Sequence, residues 1–98
     1  MVVGTLRIEL SLPGNGSLKG KRRVLRSLID RIRARFNVAV AEVDHLEAWQ
    51  RASLGVACVS GDPVIANEVL RRVLRWVEDN HDGGLEDYRI RIEEGRED

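Results

Sequence analysis

From Ser17 to Phe36 the chain reads SLKGKRRVLRSLIDRIRARF, and its apolar residues Val24, Leu25, Leu28, Ile29, Ile32 and Phe36 recur at offsets of one, three and four. At about 100° per residue these six fall within an arc of about 140°, so the segment is a helix with one stripe that must be buried. A second stripe, Ile65, Ala66, Val69, Leu70, Val73, Leu74 and Val77, follows Gly61-Asp62-Pro63. There Asp62 can cap free amides, and Pro63 fits the first helical position without losing a needed donor. Two one-sided helices require a shared apolar surface to lie on, and the rest of the chain supplies it as strands.

Val2 to Leu12 alternates, with Leu6, Ile8, Leu10 and Leu12 on one side and Thr5, Arg7, Glu9 and Ser11 on the other, as a strand with one buried face does. Pro13-Gly14-Asn15-Gly16 ends it in turn residues, and Ser17 is placed to cap the first helix. Gly20 in the first helical turn reads as simple tolerance near a helix end, and Asn37 as its C-cap. Val38 to Val43 is a β-branched run with a bulge expected near Glu42. Arg51 to Ser60 is a third strand, with Leu54, Val56 and Cys58 on its apolar side, and Leu85 to Glu94 a fourth, with Tyr88, Ile90 and Ile92 inward.

The order β-α-β-β-α-β predicts an α+β, ferredoxin-like two-layer sandwich: an antiparallel or mixed four-stranded sheet with both helices on one face. Right-handed crossovers place the first and third strands at the sheet centre, here expected to run parallel to each other. The other sheet face stays open. With 98 residues the chain has room for one such domain, residues 1–98, with a frayed acidic tail over 95–98. The longest apolar runs are too short to cross a bilayer, and Glu9 stands where a signal peptide would continue its apolar core, so the expected setting is cytoplasmic with no membrane partner. Cys58 has no second cysteine to pair with and reads as a small buried hydrophobe.

The formal charge is zero, yet it is divided unevenly. Up to residue 40, nine basic residues face only Glu9 and Asp30, an excess of seven positive charges that the remainder balances with seven negative. Fourteen of the sixteen basic residues are arginine, which suits bidentate phosphate or carboxylate contacts and is also what a GC-rich genome encodes.

Ser17-Leu18-Lys19 through Lys21-Arg22-Arg23-Val24-Leu25, Arg35-Phe36-Asn37-Val38, Ala41-Glu42-Val43-Asp44, Trp49-Gln50-Arg51-Ala52 and Leu54-Gly55-Val56-Ala57 occur in one order at compatible spacing. In these motifs the chain resembles the YlxP-like family of small bacterial proteins, over residues 2 to about 92. The resemblance implies a ferredoxin-like fold, a cytoplasmic bacterial setting and a genomic neighbourhood shared with translation-initiation and ribosome-maturation factors. It implies no activity and carries no catalytic residues. Gly20 departs from the acidic residue expected in the lysine-rich motif.

The leading candidate surface is the polar side of the first helix. Lys19, Lys21, Arg22, Arg23, Arg26 and Arg33 are expected to line it and to contact the phosphates of RNA or a ribosomal subunit through charge and shape. Stacking of bases on the open sheet is not expected, because Phe36 and Trp76 belong to helices and Tyr88 has core parity. The competing reading is a homodimer or protein-interaction module using the open sheet face, with Arg7, Arg89 and Arg91 on that face and Trp49-Gln50 as an aromatic anchor or a seal on the core edge. The Gly14-Asn15-Gly16-Ser17 loop resembles an anion cradle but lacks the spacing and terminal hydroxyl of a P-loop, so it reads as a turn. Asp44-His45-Leu46-Glu47 and His81-Asp82 read as surface loops. No catalytic residue, cofactor site or metal site is assigned, and an enzyme stands third.

Overall fold

A computed structural model of the chain describes residues 1–95. The tail expected to fray lies, past Gly95, outside the described residues. The elements follow the sequence periods closely: β1 (Val2–Ser11), α1 (Leu18–Arg35), β2 (Ala39–Asp44), β3 (Arg51–Ser60), α2 (Pro63–Asn80) and β4 (Leu85–Glu94). They form a four-stranded sheet of order β2-β3-β1-β4 with both helices on one face, the ferredoxin-like α+β arrangement.

Every adjacent pair of strands is antiparallel. The expected parallel pairing of β1 and β3 is therefore wrong. The crossover through α1 returns β2 in the direction of β1, the β2–β3 connection reverses it, and β3 must run against β1. The expected bulge is present: Glu42 pairs with Leu54 and Asp44 with Ser53, so one extra residue is accommodated between them.

Leu6, Ile8, Leu10, Leu54 and Val56 project from the sheet onto Leu25, Leu28 and Ile32 of α1 and Leu70, Val73 and Val77 of α2, and all are buried in one core. Such stripes explain why these segments are helices: truncating one of these residues to Ala typically costs about 2–5 kcal/mol. Gly4 leaves room on β1 for the Leu70 side chain of α2. A Cβ there would stand 2.9 Å from Leu70 Cδ1 and 3.2 Å from Cys58 Sγ. Cys58 is buried as expected, and burial pushes its thiol pKa up.

The helix ends follow their capping signals. Ser17 Oγ accepts from Gly20 N at 2.9 Å and Asp62 Oδ1 from Val64 N at 2.8 Å. The first helix leaves at Phe36, whose backbone is already extended, one residue before the expected cap at Asn37. Three burial expectations fail. Ile65 and Val24 are exposed at the margins of their stripes, and Tyr88 is 45 % exposed although it pairs with buried Ile8. Tyr88 does share parity with Ile90 and Ile92, but β4 is an edge strand and neighbours on one side only.

Candidate functional site

Two surfaces remain after the core is built: the outward side of α1 and the open face of the sheet. On α1, Lys19, Arg22, Arg23 and Arg26 are all exposed. Their spacing of three, one and three residues keeps them on one side of the helix over a rise of about 10 Å. With Ser27 and the single acid Asp30 they rim a shallow depression of about 490 Å³. None of the four cations has an ion-pair partner among the described residues.

Three other basic residues of this helix are already engaged. Arg33 donates from Nη2 to the Val40 carbonyl at 3.0 Å, which fixes it at the edge of the cationic face. Arg31 and Arg35 stand over the ring of Trp76, 5.1 and 5.7 Å from its centroid, as cation–π partners that tie α1 to α2.

Lys21 does not belong to this face at all. Its side chain is 1 % exposed and its Nζ lies 2.8 Å from Glu42 Oε2, donating also to the carbonyls of His45 at 2.8 Å and Arg51 at 3.3 Å. The Glu42 contact is ionic and lies off the hydrogen-bonding direction of that oxygen. Assigning Lys21 to the phosphate-contacting surface was thus an error of side. Its position continues the buried series Leu25, Leu28 and Ile32 at helical offsets of four, seven and eleven. That periodicity was visible in the sequence and was overridden by the charge.

The helix start is held by neighbouring loops. Asn15 Nδ2 donates to the carbonyls of Ser17 at 2.8 Å and Trp49 at 2.6 Å. Its Oδ1 occupies the place where a Cβ on residue 20 would go, so the bare Gly20 leaves room for the Asn15 side chain in this position. The Gly14–Ser17 segment is accordingly a turn spent on internal bonds, with Gly14 at φ +76°. Trp49 is 52 % exposed and does not seal the core edge; Gln50 is exposed beside it. Its backbone is fixed while its ring stays available.

On the open sheet face a polar cluster joins three strands. Arg7 donates to Glu9 Oε1 at 2.6 Å and to Asp44 Oδ2 at 3.0 Å, and buried Ser53 donates to Glu9 Oε2. Burial works against the Glu9 carboxylate, but the bonds from Ser53 and Arg7 outweigh it and hold its pKa below the usual value. Asp44 is held low by the His45 backbone N–H first and by Arg7 second. Beside this cluster Ala39, Ala41, Gly55 and Ala57, with Val43 lying over Gly55, line a trough of about 540 Å³ bordered by Arg89 and Arg91.

The two histidines do not converge. His81 is buried at the end of α2, its Nε2 2.7 Å from the Ser11 carbonyl, which corrects its reading as surface-loop chemistry. His45 adopts φ 58° in the β2–β3 connection. Among the described residues no group of three or more His, Cys, Asp or Glu side chains is placed to hold a metal ion. No helix of the described residues is long and apolar enough to cross a membrane.

A family model described as "Protein of unknown function (DUF503)" matches residues 3–90. The chain belongs to the DUF503 family. Consistent with that, it is 36 % identical over 77 residues to a Bacillus subtilis (strain 168) protein described as "Uncharacterized protein YlxP", covering 79 % of this chain and 84 % of that one. The family motifs of this DUF503 chain map onto the features above. The lysine-rich motif holds both the exposed cations and buried Lys21, the Ala41–Asp44 motif contains the bulge and Glu42, and Trp49-Gln50 leads into β3.

Proposed function

We propose that this protein binds the phosphate backbone of ribosomal RNA through the exposed cationic side of α1, acting without catalysis in the cytoplasm. The observation that carries the reading is the set Lys19, Arg22, Arg23 and Arg26, four cations on one helix with no ion-pair partner among the described residues and only Asp30 beside them. A helix that buries Leu25, Leu28 and Ile32 holds the backbone of these groups in register, so binding orders only their side chains, and each phosphate neutralised releases counterions. Arg33, tethered to the Val40 carbonyl, extends the strip at its far end. The aromatic side chains are not arranged as a stacking platform. Trp76 lies under two arginines, and on the open face β1 and β3 present Val3, Thr5, Arg7, Glu9, Ser53, Gly55, Ala57 and Val59, none of them aromatic. Recognition on this reading is by charge and shape, with little base sequence preference.

The genomic neighbourhood implied by the family resemblance makes ribosomal subunits the first RNA to test. An Arg22→Glu/Arg23→Glu/Arg26→Glu variant, which leaves every core and capping residue in place, is expected to lose cosedimentation with ribosomal subunits and gel-shift of ribosomal RNA fragments. Retention of both by the folded variant would remove the proposal.

A further inference from the structure

The open sheet face carries its charge in rows. Across the β1–β4 ladder Arg7 stands opposite Arg89, and Glu9 stands opposite Asp87. Like charges directly opposite each other weaken a ladder, so a chain that keeps two such rows side by side retains an unfavourable arrangement in isolation. Arg7 and Glu9 relieve part of it by pairing with each other, but Arg89 and Arg91 have no ion-pair partner among the described residues. The β2–β3 half of the same face is uncharged over most of its length. Its floor is Ala39, Ala41, Gly55 and Ala57, and two large apolar side chains, Val43 at 48 % and Val59 at 69 %, stay exposed at its ends.

We propose that this face is a homodimer interface, in which two copies pack sheet to sheet about a two-fold axis that crosses the strands between the Arg7–Arg89 row and the Glu9–Asp87 row. Such an axis lays each strand over the same strand of the second copy. The arginine row of one copy then meets the acidic row of the other, twice, and Gly55, which shares the arginine row, comes over Ser53 of the second copy, which shares the acidic row. A second copy is the occupant whose charges answer both of these rows, with no separate partner to be supplied. The geometry also permits it. Small side chains allow two faces to approach to the usual spacing of about 10 Å in the aligned class of sheet packing. About this axis the four strands, about 19 Å wide, overlap along residues 5–11 of β1, about 24 Å, so each copy contributes roughly 450 Å² of face, the size of a weak interface rather than the about 800 Å² per partner of a standard one. The Arg7–Glu9–Asp44–Ser53 cluster is already satisfied internally, so it can be covered without leaving a charge unpaired.

The test uses charge reversal in trans, read by sedimentation equilibrium of the full chain from low micromolar to sub-millimolar concentration. Wild type is expected to dimerise. Arg89→Glu places Glu against Asp87 at both contacts, and Asp87→Arg places Arg against Arg89, so each variant alone is expected to associate at least about tenfold more weakly. An equimolar mixture of the two restores opposite charges at both contacts and is expected to recover dimers, which also shows that both variants are folded. Should either reversal fail to fold, Arg89→Gln and Asp87→Asn give the same reading by loss of association. A wild type that stays monomeric throughout hands the face to another occupant and overturns the proposal. So does a dimer indifferent to these substitutions, or a mixture of folded reversal variants that does not recover.

Discussion

Lys21 is the residue at which helix and sheet are electrically joined. Its ammonium bridges Glu42 on β2, the His45 carbonyl of the β2–β3 connection and the Arg51 carbonyl at the start of β3 from inside the protein, so its removal strands a mostly buried carboxylate. Lys21→Met is predicted to cost about 3 kcal/mol in denaturant unfolding, while Lys21→Met/Glu42→Leu recovers most of it, because an apolar pair avoids the desolvation of both ions. The same loss in both variants would show that the lysine contributes by packing alone. A second residue-scale prediction concerns acid. Glu9 and Asp44 have lowered pKa values in the folded state, so the stability they contribute is complete above the ordinary carboxylate range. It is lost as pH falls through their lowered native values. Thermal melts are predicted to show a falling midpoint on that acid limb. Arg7→Gln flattens the limb without abolishing it, since Ser53 and the His45 amide still hold the two carboxylates. An unchanged slope would mean that Arg7 does not set it.

At the scale of elements, the helix and strand spans were legible because each buries one side and therefore repeats with its own period. Arg51–Ser60 and Leu85–Glu94 coincide with their apolar alternation, and the cap residues Ser17 and Asp62 mark the helix starts. What escaped was whatever depends on a neighbour far away in sequence. The burial of Lys21 needs Glu42, the exposure of Tyr88 follows from the edge position of β4, and the direction of β3 against β1 follows from the hairpin. Gly20 is of the same kind, since its lack of a side chain is explained by Asn15, which in turn holds the Trp49 carbonyl. Gly20→Ala should therefore destabilise the protein even though alanine favours a helix by up to about 1 kcal/mol. In an Asn15→Ala background the same change should become neutral or stabilising. This cycle is read by urea unfolding, and a stabilising Gly20→Ala in the wild-type background would contradict the contact. Of the candidate site, the cationic side of α1 is readable from spacing alone, which also leaves Arg31 and Arg35 off it, but the tether of Arg33 to the Val40 carbonyl and the burial of Lys21 are not.

For the whole molecule, a formal charge of zero hides two surfaces of different character on opposite layers. The helical layer presents four exposed cations on α1 with no ion-pair partner among the described residues, and the sheet presents alternating rows of charge beside an apolar trough. Two faces on opposite sides of one core can be occupied together, so a sheet-to-sheet pair would leave both α1 surfaces outward and free for RNA. The proposed role rests on those outward cations, and salt dependence addresses them most directly. Binding of the wild-type protein to a single-stranded ribosomal RNA fragment, titrated over a series of salt concentrations, should follow a log–log slope of about −3, four phosphates at about −0.7 each. The slope should fall in magnitude by about 0.7 with each of Arg22→Ala, Arg23→Ala and Arg26→Ala, and not at all with Arg31→Ala, whose guanidinium is committed to Trp76. No measurable binding by the wild type, or a slope that these three substitutions leave unchanged, would contradict it.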